Sequence, residues 1–232
     1  MKRYFILILF ISNFSLAFSQ NDVETDTSFY TPMFDRDTNA RVHMGVKVGS
    51  LIQGVMYKAN QDPQYTDSIS TWRSDNHVGF LFGLVVDTRL SPHWNLKSGF
   101  DIVVSKISLY TEEDSLSSIR SSNYSTIQIP AWFTYAPRIK ANRFHFGGGV
   151  IWSADISKRE VKFNRLVQLN TTNLILGLGM GYRVQLPSKV ALNIDMQLRY
   201  GILNMVSKDD NFYNNAMDSI NLWEFVLFVS LD

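Results

Sequence analysis

Cysteine is absent from all 232 residues. No disulfide can staple the fold, and zinc sites that need thiolate are excluded. Proline numbers six, and Pro92, Pro137 and Pro187 mark turns. A strong charge of either sign is missing too. Setting Lys2 and Arg3 aside leaves 20 basic against 21 acidic side chains, a net charge of −1. That balance argues against a general nucleic-acid binder. After the first residues, a charged or strongly polar residue interrupts every apolar run, so no transmembrane helix is expected. Disorder of the whole chain is excluded by an apolar content of 45% and an aromatic content of 13%.

The chain opens with Lys2 and Arg3, then an apolar run from Tyr4 to Ile11. Ala17-Phe18-Ser19 satisfies the small-x-small cleavage rule. Residues 1–19 therefore read as a cleavable signal peptide, with Gln20 as the mature start. The alternative is an uncleaved anchor, but the run falls short of the ~20 residues that span a bilayer as a helix. Residues 20–41 carry Asp22, Glu24, Asp26, Asp35 and Asp37 without alternation. They read as a flexible acidic periplasmic lead-in.

What is present is alternation, clearest over residues 78–110. Val78, Phe80, Phe82, Leu84 and Val86 share one face; Gly79, Gly83, Asp87 and Arg89 fall on the other. After Ser91-Pro92-His93 the pattern resumes. Trp94, Leu96, Phe100 and Ile102 lie opposite Asn95, Lys97 and Asp101. Period-two alternation across a proline-marked turn predicts a β-hairpin. Its arms are well beyond the ~5–6 residues usual for a soluble strand.

Five further segments alternate in the same way: 42–57, 124–135, 144–156, 171–186, and 190 onward to Tyr200. A last one carries Trp223, Phe225, Leu227, Val229 and Leu231 on one face. Pro130 inside the fourth strand predicts a bulge, because proline cannot donate to the ladder. Long polar loops are expected at 58–77, 111–123, 157–170 and 203–219, alternating with short turns. The second of these is acidic (Glu112, Glu113, Asp114) and the third basic (Lys158, Arg159, Lys162, Arg165).

Eight strands with that asymmetry predict an all-β fold, an eight-stranded antiparallel transmembrane β-barrel over residues 42–232 in the outer membrane. The lipid bilayer is then the first partner. Inward positions hold Asp87, Arg89, Lys97, Asp101, Arg183, Asp195, Arg199 and Glu224, four charges of each sign. They are expected to form a salt-bridged plug, since an eight-stranded interior is just wide enough for side chains to fill. Aromatics sort by height. Trp94, Tyr135, Phe144 and Tyr182 fall near the short turns; Tyr57, Tyr110, Trp152, Tyr200 and Trp223 fall near the long loops. Two girdles are what interfacial anchoring requires. A soluble eight-stranded barrel would instead turn its apolar face inward.

The chain resembles a known family, the PorT-like small outer-membrane β-barrel proteins. The likeness rests on Phe34-Asp35, Gly79-Phe80, Asp87-Thr88-Arg89-Leu90 and Asn95-Leu96. It continues through Ile127-Gln128-Ile129-Pro130, Phe146-Gly147-Gly148-Gly149 and Arg199-Tyr200-Gly201-Ile202-Leu203-Asn204. The resemblance implies an accessory part in export of cargo by the type IX secretion system of the Bacteroidetes group, with secretion-machinery subunits as partners.

Candidate chemistry is sparse. Gly147, Gly149, Gly177, Gly179 and Gly181 line one inner wall, and leave room for Trp132 or Arg89 or for a small ligand. His77 beside Ser74 and Asp75 is the one cluster with catalytic residue types in an outer loop. Triads are set by space and not by sequence adjacency. The expectation is therefore no enzyme, no catalytic residue, no cofactor and no metal. Two alternatives are a stand-alone surface-interaction or adhesion barrel and a lipid-modifying outer-membrane enzyme.

Overall fold

The computed structural model describes residues 42–62, 71–113, 116–137, 143–157, 169–186, 190–207 and 212–232. The expected signal peptide and lead-in lie outside the described residues, as do most of the basic loop and the Pro187-Ser188 turn. In chain order the strands are β1 (Val42–Ala59), β2 (Thr71–Asp75), β3 (His77–Arg89), β4 (Trp94–Glu113), β5 (Leu116–Tyr135), β6 (Arg143–Asp155), β7 (Thr172–Gln185), β8 (Ala191–Gly201) and β9 (Met217–Leu231). One short helix, α1 (Phe212–Asn215), precedes β9.

All nine strands among the described residues belong to one sheet, and the β4–β5 pairing closes it on itself. β2 and β3 both pair with β4, and the register steps by one residue between them at Asn76. They form one stave, which makes the wall an eight-stave barrel. Closure leaves no open edge in the wall, which is how a chain without disulfides holds this shape.

The phase of the alternation is unambiguous. Val78 is 68% exposed, while Leu81 three residues on is fully buried. Met44, Val46, Val48, Phe80, Leu84, Leu178 and Leu198 all turn outward. Inward positions hold polar groups in the lower part, near the short turns. Above them lies an apolar layer that includes Val55, Ile107, Tyr124, Ile151, Ile175 and Leu222. The interior is thus layered, not charged throughout.

Four expectations need correction. The 111–123 segment is mostly strand: β4 runs to Glu113, β5 begins at Leu116, and their ladder continues ten rungs beyond the last β5–β6 rung at Thr126. Leu116 and Ile119 are the only large apolar residues of this segment, so no apolar alternation marks it in the sequence. The 58–77 loop likewise contains β2, and the 203–219 loop contains α1. Tyr57 belongs to no girdle; it follows the exposed Met56 and packs against the inner apolar layer.

The fourth correction is at Pro130, which makes no bulge. Ser98 pairs with Ala131 and Asp101 with Gln128, one constant register across the site. Between those rungs the β4–β5 ladder simply lapses. Opposite, Gly99 sits at φ 144°, a conformation that favours glycine. Proline removes a donor without adding a residue, so pairing is lost while spacing is kept.

The long-loop end is tied together by asparagines. The Asn204 Oδ1 accepts from the Val206 and Ile220 amides at 3.0 and 3.1 Å. Its Nδ2 donates to the Asp218 carbonyl at 2.8 Å. Asn170 Nδ2 donates to the Asn204 and Val206 carbonyls at 3.0 and 2.9 Å. These bonds seat Met205, Val206 and Met217 on the inner apolar layer.

Candidate functional site

The lumen below that layer is built from side chains that alternation aims inward. At the mouth near the short turns, Arg183 Nη1 lies 3.3 Å from Asp232 and 3.6 Å from Asp87. Asn95 donates to Asp87 at 3.2 Å, and Asn193 bonds both Ser230 and Asp232. Deeper, Asp195 is shared by His145 at 2.6 Å and Lys97 at 3.6 Å. Lys47 meets Asp101 at 2.8 Å, with its ammonium 5.3 Å from the Phe228 ring centroid. Arg199, only 2% exposed, donates to Gln197 at 2.9 Å, to Gln128 at 3.0 Å and to Glu224 at 3.4 Å.

Seven of the eight inward charges anticipated from sequence meet in this network: Asp87, Lys97, Asp101, Arg183, Asp195, Arg199 and Glu224. Arg89 is half-buried at the rim, where its Nε donates to the Ser91 carbonyl at 3.4 Å. Three members were missed: Lys47, His145 and Asp232. All share the inward parity of their strands, and Asp232 continues the series Glu224, Val226, Phe228, Ser230. Parity names the face, but the partner across the lumen follows only from closure.

One side chain fills the glycine wall. Trp132 is inward and 4% exposed. Its indole lies against Gly147, Gly149, Gly177 and Gly179. A Cβ at Gly177 would stand 2.7 Å from Trp132 Cζ3, and one at Gly149 would stand 3.0 Å from Cε3. Gly177→Val should therefore lower stability by about 1–3 kcal/mol through overpacking. Urea unfolding of the refolded barrel in lipid vesicles would measure it.

A cavity of about 10 Å³ opens at the mouth, lined by Asp87, His93, Lys97, Arg183, His145 and neighbours. That is room for one water. Among the described residues no group of three or more histidine and carboxylate ligands could hold a metal. Ser74 and Asp75 are consecutive in β2 and so point to opposite faces. The Ser74 hydroxyl donates to the Val55 carbonyl at 2.9 Å. The structure does not bring His77, Ser74 and Asp75 together as a triad.

Outside, rings gather at two heights. Trp94 and Tyr135 pack as tilted rings 5.0 Å apart between centroids, and Phe144 and Tyr182 do so at 4.7 Å. Toward the other end, Tyr200 faces Trp223 across the β8–β9 ladder, and Trp152 is exposed on β6. Tyr110 lies in β4, with its side chain outside the described set.

A family described as outer membrane protein beta-barrel domain matches residues 18–207. The chain belongs to this outer-membrane β-barrel family. Its apolar outer face therefore meets the lipid bilayer of the outer membrane. Its charges lie in the lumen, where they avoid the ~2–4 kcal/mol that Arg or Lys costs on the lipid face at the midplane. Among solved structures the family member is similar to OprG from Pseudomonas aeruginosa, at 12% identity over 81% of this chain and 94% of that one, with a TM-score of 0.46. It is similar to Ail of Yersinia pestis at 16% identity over 81% and 96%, TM-score 0.35. The Escherichia coli outer membrane protease OmpT matches at 8% over 90% and 99%, TM-score 0.38. Among curated proteins nothing matches.

Proposed function

We propose that this protein is a non-enzymatic outer-membrane barrel that acts through its two ends as an accessory factor in protein secretion, and not as a pore. The filled lumen carries the reading. Cross-lumen ion pairs, the Trp132 indole and the asparagine-tied apolar layer occupy successive levels of an interior that eight strands barely leave open. A barrel without a path through it works by what it presents to partners. The PorT-like resemblance supports secretion-machinery subunits as those partners.

Two measurements test this. Wild-type protein in a planar bilayer should show no steady conductance; a stable open channel would overturn the non-pore reading. Cells deleted for the gene should lose extracellular cargo; unchanged export would sink the secretion role. A second reading, a stand-alone surface-interaction barrel, is favoured by the β2–β4–β5 ribbon that rises beyond the rim. Crosslinking in intact outer membranes separates the two by whether secretion subunits or surface ligands are captured.

A further inference from the structure

The wall is not uniform. The β5–β6, β6–β7, β7–β8 and β8–β9 ladders run rung by rung without a break, and so does β3–β4 from Phe80 to Arg89. The β4–β5 ladder alone among these neighbours lapses part-way, at Gly99 and Phe100 against Ile129 and Pro130. The lapse lies five rungs above the Trp94–Tyr135 rung. With ~3.4 Å per residue and a ~45° strand tilt, that is about 12 Å above the lower aromatic girdle, near mid-membrane.

Three further observations fall on the same spot. The inner face of the lapse carries Gly99, which has no side chain, and Pro130, which has no N–H. The lipid-side rung just below it is Ser98 against Ala131, two small residues. The strands on either side are each tied elsewhere across the lumen. β4 is held through Asp101 to Lys47 on β1 and through Lys97 to Asp195 on β8; β5 is held through Gln128 to Arg199 on β8. Both walls of the lapse are thus also braced across the lumen to other staves of the barrel.

We propose that the β4–β5 lapse is a seam at which the barrel wall parts, giving a lateral opening between lumen and bilayer at mid-depth. The rungs flanking Pro130 open as one local unit. The cross-lumen ties keep the rest of the barrel closed while they do. In lipid, unpaired backbone groups have no water to turn to, so a wall keeps such a gap only where protein supports it from within. This opening is independent of the secretion role.

Hydrogen exchange on wild-type protein in lipid nanodiscs tests the seam directly. Amides of Gly99, Asp101 and Gln128, which point across the seam, should exchange at least about tenfold faster than those of Leu178, Met180, Met196 and Leu198 in the unbroken β7–β8 ladder. Equal protection at the two places would overturn the proposal. Pro130→Ala restores a donor and should slow seam exchange toward the β7–β8 value. The absence of cysteine allows a second arm: Ser98→Cys with Ala131→Cys places two thiols on one rung, within the span a disulfide bridges. Oxidation should slow seam exchange and reduction should restore it. Seam exchange unaltered by either closure would also overturn the proposal.

Discussion

Arg199→Met should cost about 3–5 kcal/mol of folding free energy, because it leaves a fully buried carboxylate without its cation. Glu224 is wholly buried, and Arg199 is the guanidinium that meets it. Gln128 and Gln197 lose a donor in the same step. Methionine keeps most of the volume, so the loss reports charge and hydrogen bonding more than a cavity. The expected signature is a large drop in the urea midpoint at unchanged slope, with heat-modifiable gel mobility retained. Adding Glu224→Gln should recover more than half of the loss, since the damage is the orphaned charge and not the absence of a pair. If the double variant is as unstable as the single, the pair is not the unit that matters.

Trp132→Ala should cost a similar amount, about 3–5 kcal/mol, by emptying the slot that four glycines leave. The four glycines that face the indole have no side chains to collapse into it. The coupling with Gly177→Val is the sharper test. Alone, the valine clashes with the indole; with the indole gone, it refills part of the space. The double variant should therefore lose less than the two single losses added together. Strict additivity would mean that Trp132 and Gly177 do not share one volume.

Much of this architecture was legible from period-two alternation. Val78 through Leu84 announced the outward face, and Asp195 and Arg199 announced the inward one. Alternation is silent in two circumstances. Where a segment is almost wholly polar, as over Thr111 to Asn123, there is no contrast to read, and a paired ribbon looks like a loop. Where contacts cross the lumen, as between Lys47 on β1 and Asp101 on β4, the partner depends on how far each strand is staggered. Arg89 shows the same limit at the rim, since its face is readable but its height is not. Pro130 was read as a defect in spacing and is a defect in pairing. That difference depends on what Gly99 does opposite it.

The β1–β9 ladder has a consequence for how the protein is made. Val46 lies opposite Leu231, so the two edges that must meet last are about 185 residues apart in the chain. The β3–β4, β4–β5, β5–β6, β6–β7, β7–β8 and β8–β9 ladders join neighbours in sequence order and can form as hairpins. The entropy of so large a closure grows only as the logarithm of its length, about 0.6 kcal/mol per doubling. Its cost is in time: distant pairing is the slow kind. Until that last edge is joined, β1 and β9 each present a bare row of amides and carbonyls, and the chain crosses the periplasm as a client of whatever keeps such rows from finding one another in the wrong molecule.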